Sequence, residues 1–154
     1  MRFASGLLAL AASTLLAAEP TVGPPRGSLV VVGGGKLGPE IVSRFLSLAG
    51  GPDALIVVIP TADDRDAFPP DYLEKSFLAQ AGARNLVLRH TRSREEASTE
   101  AFVEPLRRAR AVWFPGGRQW RLVDSYLNTP VQKELENLLA RGGVVGGTSA
   151  GATI

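Results

Sequence analysis

The sequence predicts an α/β fold in which a mostly parallel sheet is covered by helices on both faces. Short, uninterrupted apolar runs recur along the chain, as expected for strands that are buried on both faces. Amphipathic helical patterns separate these runs and provide the crossovers that parallel strands require. Most of the runs end in loops rich in glycine, proline or polar residues, and such loops at the carboxyl ends of strands are where ligands bind in this class of fold.

The elements follow one another in simple alternation. Five apolar runs predict buried strands, at residues 29–32, 55–59, 85–88, 111–114 and 144–145. Four segments with apolar residues at helical spacing predict helices, at residues 39–48, 70–81, 98–108 and 130–140. Pro60 ends the second strand, and Pro115 ends the fourth. The last helix has a clear start, because Thr129 is a capping residue and Pro130 suits the first turn.

The amino terminus has the pattern of a secretory signal peptide. Arg2 precedes an uncharged, largely apolar run at 7–18, which Glu19 and Pro20 end. We therefore expect a signal peptide at 1–18, a flexible leader at 19–27, and one domain from residue 28 to residue 154. A secreted or periplasmic protein without a stable membrane anchor follows from this expectation, since the apolar run is too short to span a bilayer comfortably.

Charge and cysteine content exclude several classes of protein. Arg2 is the only charged residue in 1–18, so removal of that segment lowers the net charge from +2 to +1. A near-neutral chain with no basic patch argues against a nucleic-acid partner. Cysteine is absent, which excludes disulfides and cysteine-ligated metals. The sequence indicates no metal or organic cofactor, and it leaves the oligomeric state open, with a homodimer as one candidate.

A serine-centred motif lies at the end of the chain. The sequence reads Gly147-Thr148-Ser149-Ala150-Gly151 directly after the last predicted strand. This Gly-x-Ser-x-Gly pattern is typical of a nucleophile elbow, in which a strand turns sharply into a helix and presents a serine. A tight turn with an inert serine is the structural alternative. With the amide of Ala150, the paired glycines of the 115–119 loop could stabilise an oxyanion, although they could also simply end a strand.

Three other features leave alternatives open. Residues 33–38 read Gly-x-Gly-x-x-Gly, but no acidic residue closes the second strand, which argues against a dinucleotide site and favours a glycine-lined floor beneath the active site. The carboxylates of the 63–66 loop could receive a cationic substrate group or form a solvated loop. His90, the only histidine, could approach the serine or lie at the surface.

Four motifs together resemble the cyanophycinase and dipeptidase E family of serine peptidases. They are Val-Val-Val-Gly-Gly-Gly at 30–35, Ile-Pro-Thr-Ala at 59–62, Phe-Pro-Gly-Gly-Arg-Gln at 114–119 and Gly-Gly-Thr-Ser-Ala-Gly-Ala at 146–152. The resemblance implies a flavodoxin-like three-layer sandwich, similar to the class I glutamine amidotransferase domain. The Gln119 and Arg121 pattern is closer to cyanophycinases, which cleave a polyaspartate polymer bearing arginine into β-aspartyl-arginine dipeptides.

The resemblance also implies roles for single residues. Ser149 would be the nucleophile, Gly117 and Ala150 would supply the oxyanion amides, and Gln119 and Arg121 would contact a peptide or polymer substrate. The chain departs from the family at Arg118, where aspartate is common. The histidine and the acid of the family lie beyond the elbow, so the chain resembles an amino-terminal fragment, truncated after the elbow and inactive alone.

Three other functions remain open from the sequence. A dipeptidase E-like aspartyl dipeptidase would share the family and the nucleophile. An α/β-hydrolase esterase would share the elbow but would not act on aspartyl peptides. A noncatalytic binding module would keep the fold after losing the catalytic partners of the serine.

Overall fold

The structure is a computed structural model that describes residues 23–153. The predicted signal peptide at 1–18 and residues 19–22 of the predicted leader lie outside the described residues. Residues 23–27 form bends that lead into the first strand. In the described part of the chain, every helix is too short or too polar to cross a bilayer.

The described residues contain five parallel strands that form one sheet. In chain order they are β1 (Ser28–Val32), β2 (Ile56–Val58), β3 (Leu86–Leu88), β4 (Ala111–Phe114) and β5 (Val144–Thr148). Their spatial order is β1-β5-β4-β2-β3, and each neighbouring pair is parallel. The predicted parallel α/β sheet is therefore confirmed.

Within residues 23–153, six α-helices connect the strands and one 3₁₀ helix follows β5. They are α1 (Pro39–Ala49), α2 (Phe77–Gln80), α3 (Arg94–Ala97), α4 (Glu100–Arg108), α5 (Gln119–Tyr126), α6 (Pro130–Ala140) and a 3₁₀ helix (Ser149–Ala152). Helices α1 and α2 pack on one face of the sheet, and α3 to α6 pack on the other. This gives the three layers that the sequence predicts.

Alternation along the strands creates two separate cores. Ile56 and Val58 of β2 face α1, whereas Val57 faces α4 to α6, because successive side chains of a strand point to opposite faces. These three side chains are buried, as the continuous apolar run requires. Both faces of β2 and β4 are thus closed to water.

The register brings the carboxyl ends of the strands to one edge of the sheet. Val32 of β1 lies opposite Thr148 of β5, and Phe114 of β4 lies opposite Gly147. On the other side of β4, Trp113 lies opposite Val58 of β2. The loops that follow β1, β2, β4 and β5 consequently begin at the same level, where they can form a common site.

The structure changes two of the predicted helices. The predicted helix at 70–81 is a series of turns, and only α2 is regular, because Ser76 caps a new helix by accepting a hydrogen bond from the Ala79 amide. The predicted helix at 98–108 is preceded by α3 and starts at the Thr99 cap.

Helix α5, like the short α3, was not predicted. Its exposed face carries Trp120 and Val123, while its buried face carries Ser125 and the hydroxyl-bearing Tyr126. Apolar residues outside and polar residues inside obscure the helical pattern on which the sequence prediction rests.

Close packing around Trp113 fixes how β4 and β5 meet. The Trp113 ring packs edge-on against Phe45 at 4.9 Å and against Phe77 at 5.4 Å between ring centroids. Gly146 lies opposite Trp113 in the neighbouring strand. A Cβ on Gly146 would lie 2.6 Å from the Trp113 ring and 2.9 Å from the Phe45 ring, well inside van der Waals contact.

We expect Gly146→Ala to destabilise the protein by about 1–3 kcal/mol, because the added methyl overpacks a dense core. Urea unfolding at equilibrium measures this change. Gly33→Ala is the matched control, because nothing lies within 4 Å of a Cβ at Gly33. Equal stability of the two variants would contradict this account of the Trp113 core.

Candidate active site

Ser149 sits on a sharp turn at the end of β5. Its φ angle is +53°, in the left-handed region that residues other than glycine rarely adopt. It begins the 3₁₀ helix, and it is exposed, whereas Ala150 and Gly151 behind it are buried. This is the geometry that the Gly-x-Ser-x-Gly pattern predicts: a strained backbone that holds one hydroxyl at the surface.

The two flanking glycines are required by contacts between backbone segments. A Cβ on Gly147 would overlap the Gly151 carbonyl across the turn. A Cβ on Gly151 would in turn overlap the carbonyl of Phe114 at the end of β4. The elbow therefore folds back on itself and on the neighbouring strand more closely than any side chain permits.

Two glycine-rich loops border Ser149. A Cβ on Gly116, in the 115–119 loop, would lie 3.2 Å from Ser149 Cβ and 3.7 Å from Ser149 Oγ. A Cβ on Gly34, in the loop after β1, would lie 3.7 Å from Ser149 Cβ. The loops after β1 and β4 thus each place one glycine, Gly34 and Gly116, next to the serine.

The 115–119 loop is held against the end of β2. Gly117 has a φ of +146°, and a Cβ there would overlap the Ala62 carbonyl. The Arg118 amide donates a hydrogen bond of 2.7 Å to that same carbonyl. Among residues 23–153, no hydrogen-bond partner is found for the Gly117 amide. The Ala150 amide lies in the first turn of the 3₁₀ helix, where no intrahelical acceptor precedes it.

The predicted substrate residues lie at the start of α5. Gln119 is the first residue of this helix and is exposed. Arg121 is half-buried, donates from Nη1 to the Ala62 carbonyl at 3.2 Å, and lies 5.2 Å from the Trp120 ring centroid. Gln119 is therefore open to solvent, whereas part of the Arg121 guanidinium is engaged within the protein.

His90 belongs to a hydrogen-bonded network behind the loop. Its Nδ1 is hydrogen-bonded to Thr61 Oγ1 at 3.0 Å, and Thr61 Oγ1 in turn shares a 2.6 Å bond with the Tyr126 hydroxyl. Burial lowers the pKa of the His90 imidazole, and the charge of Arg92 lowers it further. Within the described residues, His90 makes no hydrogen bond to Ser149.

Asp63 and Asp66 of the 63–66 loop are paired with arginines of this chain. Arg65 donates from Nε and Nη2 to the two carboxylate oxygens of Asp63, both at 2.8 Å, and its guanidinium covers the Phe68 ring. This hydrogen bonding holds the pKa of the Asp63 carboxyl well below its usual range. Arg92 donates to Asp66 at 2.6 Å. The structure therefore shows these two carboxylates within a charged loop.

The arrangement supplies part of the chemistry of acyl transfer. It presents an exposed hydroxyl on a strained turn, with backbone amides of two loops nearby. In residues 23–153, no group of three histidine, aspartate or glutamate side chains could hold a metal ion. Ala62 and Tyr126 also contribute to this edge, and no sequence pattern indicated Tyr126. Only the Thr-Ala of the 59–62 motif pointed to Ala62.

Comparison with known proteins identifies relatives of this chain. The model of peptidase family S51 matches residues 29–154. A cyanophycinase from Geminocystis herdmanii (strain PCC 6308) is 33% identical over 133 residues, which cover 84% of this chain and 48% of the relative. A cyanophycinase from Synechococcus elongatus is 31% identical over 133 residues, which cover 84% of this chain and 41% of the relative. The chain thus spans about half the length of these relatives.

Solved structures share the fold. A peptidase from an acI-B1 Actinobacterium superposes with a TM-score of 0.69 at 28% identity, covering 84% of this chain and 56% of that one. A candidate peptidase E from Listeria monocytogenes EGD-e superposes with a TM-score of 0.52 at 20% identity, covering 82% of this chain and 60% of that one. At this lower identity the similarity shows the fold alone.

Backbone strain at Ser149 leads to a prediction about stability. We expect Ser149→Gly to be more stable than Ser149→Ala by roughly 0.5–1 kcal/mol, because glycine adopts the left-handed conformation without the cost that a Cβ adds. Urea unfolding of the two variants measures the difference.

Ser98 is the control position, because its φ of −94° carries no such strain. There the glycine variant should be less stable than the alanine variant. The same order of stability at both positions would contradict a strained Ser149.

Proposed function

The chain belongs to peptidase family S51, and from this membership we propose that it carries the nucleophile of a serine-type peptidase that cleaves aspartyl-linked peptides. The family and its relatives support a peptidase of the cyanophycinase and peptidase E type. The serine mechanism and the substrate are the proposed part. The observation that carries them is Ser149, exposed and strained between two glycine-rich loops.

In this proposal the Ser149 hydroxyl gives its proton to a base and attacks the scissile carbonyl. The peptide C–N bond then breaks, the amine leaves with that proton, and water hydrolyses the acyl-serine to release the acid and restore the hydroxyl. The amides of Gly117 and Ala150 stabilise the negative charge that develops on the carbonyl oxygen, and each such donor contributes about 3 kcal/mol to lowering the barrier. Gly116 leaves room for the substrate next to Ser149 Oγ. The positive φ of Ser149 directs the side chain away from the buried Ala150 and Gly151.

We propose cyanophycin as the substrate, cleaved to β-aspartyl-arginine dipeptides. The identity to cyanophycinases over most of this chain supports this choice. Gln119 is exposed beside the 115–119 loop and would contact the peptide, whereas the Arg121 guanidinium donates to the Ala62 carbonyl of this chain. Arg118, where the family often has aspartate, would change how the charged groups of the substrate are recognised.

The base that activates Ser149 is proposed to come from outside residues 23–153. His90 is engaged with Thr61 instead. Within the described residues, Thr148 Oγ1 is buried without a hydrogen-bond partner, and such a group costs about 1–3 kcal/mol until a partner satisfies it. A partner from further protein mass next to the elbow would remove this cost.

An apolar groove beside β5 also supports the proposal that further protein packs next to the elbow. The groove of about 390 Å³ lies between β1, β5, α5 and α6, and it includes Leu29, Val123 and Leu127, each exposed by more than 40%. An exposed apolar patch of this kind normally marks a surface that other protein covers. The roughly half of each relative that this chain does not match is the proposed cover.

The cellular setting is also proposed. Residues 1–18 carry the pattern of a signal peptide, so we place the protein outside the cytoplasm, secreted or periplasmic, with no stable membrane anchor. There it would use polymer released by other cells, either as a monomer or as a homodimer.

We expect the product of the complete gene to hydrolyse cyanophycin to β-aspartyl-arginine dipeptides. Ser149→Ala should lower kcat/KM by more than about 10³-fold, because the nucleophile of a triad accounts for most of its catalysis. Release of dipeptides, followed by liquid chromatography, measures this.

Ser98→Ala, which removes an exposed hydroxyl of another loop, should leave the rate unchanged. Hydrolysis only of aspartyl dipeptides would favour a dipeptidase, and hydrolysis only of p-nitrophenyl esters would favour an esterase. Substrate binding without any turnover would favour a noncatalytic module.

Residues 1–154 alone should be inactive on cyanophycin and on aspartyl dipeptides, because Ser149 has no hydrogen-bonded base among the described residues. The same chromatographic assay, with the complete gene product as the positive control, tests this. Turnover by the 154-residue protein that is lost in Ser149→Ala would show that the base lies within this chain.

A further inference from the structure

We propose that Thr61 and Ala62, at the end of β2, hold the 115–119 loop in its catalytic position through helix α5, and that Arg121 is the positioning residue of this link. The inference rests on the proposed function, because it concerns the placement of the Gly117 amide. It also gives a role to the Ile-Pro-Thr-Ala motif at 59–62, which the proposed chemistry does not otherwise use.

The first link is the Ala62 carbonyl. Ala62 is fully buried, and its carbonyl accepts two hydrogen bonds, one from the Arg118 amide at 2.7 Å and one from Arg121 Nη1 at 3.2 Å. Both donors belong to the segment that follows Gly117. A charged donor makes a stronger hydrogen bond than a neutral one, so Arg121 adds substantially to the attachment of this segment to β2.

The second link is steric. Gly117 lies so close to Ala62 that any Cβ would overlap the Ala62 carbonyl. The loop therefore rests directly on the backbone of the 59–62 motif, with no side chain between them. A displacement of the Ala62 backbone would therefore also displace Gly117, since the two backbone segments are in direct contact.

The third link joins the same helix to Thr61. Thr61 is fully buried, and its hydroxyl shares a 2.6 Å hydrogen bond with the hydroxyl of Tyr126, near the end of α5. The Tyr126 hydroxyl also donates to the Thr91 carbonyl at 3.2 Å. Helix α5 is thereby fixed at both ends to consecutive residues of the β2 exit, through Arg121 at the start and Tyr126 at the end.

These links bear on catalysis because of what lies on the other side of the loop. Gly116 borders Ser149 while its neighbour Gly117 borders Ala62. The Ala62 attachment thus sets the distance between the Gly117 amide and the nucleophile. A displacement of about 1 Å in such a position can cost roughly 100-fold in rate, so loosening the attachment should lower kcat and leave substrate affinity nearly unchanged.

Hydrogen exchange in the 154-residue protein tests the attachment without any activity. Arg121→Met should raise the exchange rate of the Arg118 amide severalfold. The variant removes the second hydrogen bond to the Ala62 carbonyl, so the segment that carries the Arg118 amide opens more often. Arg121→Lys should restore part of the protection, because an ammonium group can still donate to Ala62.

Arg94→Met is the matched control. Arg94 donates from Nη1 to the Asp124 carbonyl at 2.9 Å and from Nη2 to the Leu127 carbonyl at 2.7 Å, at the far end of the same helix. This variant should leave Arg118 exchange unchanged. If it accelerates Arg118 exchange as much as Arg121→Met does, the effect is a general loosening of α5 and the proposal is wrong.

Kinetics of the complete gene product on cyanophycin then separate positioning from substrate binding. We expect Arg121→Met to lower kcat by roughly 10–100-fold with KM within about twofold, and Arg121→Lys to recover part of kcat. A higher KM with unchanged kcat and unchanged Arg118 exchange would make Arg121 a substrate ligand instead. If the wild-type product cleaves no aspartyl peptide, the proposed function fails, while the exchange experiment still decides the attachment.

Discussion

Direct contact between backbone segments at the carboxyl edge of the sheet is the constraint on which the site depends. The elbow packs on itself through Gly147, and on β4 through Gly151. The 115–119 loop packs on the end of β2 through Gly117. At each contact a Cβ would overlap a carbonyl group. The backbone at the ends of β2, β4 and β5 is thereby packed more closely than side chains would allow, and Ser149 lies at this edge.

This closeness explains how a strained residue is kept in place. A non-glycine residue in the left-handed region costs of order 1–3 kcal/mol and persists only where its surroundings determine the backbone. Around Ser149 they do so, because β5 pairs with β1 on one side and with β4 on the other. The turn after β5 has the buried Ala150 and Gly151 behind it.

The sequence predicted the sheet and the sharp turn at Ser149 because both depend on local patterns. Continuous apolar runs indicated the strands, and Gly-x-Ser-x-Gly indicated the turn at Ser149. Helix α5 was missed because its residues do not follow the usual amphipathic pattern. Tyr126 is buried with its hydroxyl hydrogen-bonded to Thr61, and the apolar Trp120 is exposed. The link from Ala62 to Arg121 joins residues far apart in the chain, so no periodicity could reveal it. Features that depend on one segment of the chain could thus be predicted from the sequence, whereas contacts between distant segments could not.

The order of the strands has a consequence for how the protein folds. β5 is the last strand in the chain, yet it lies between β1, the first strand, and β4. Ser28 pairs with Val144, so the first pairing of β1 must wait until nearly the whole segment has left the ribosome. Contacts this distant in sequence slow folding and expose unpaired strand edges meanwhile. β5 joins β1 to β4 in a single step of folding, and the strained turn at Ser149 directly follows this strand.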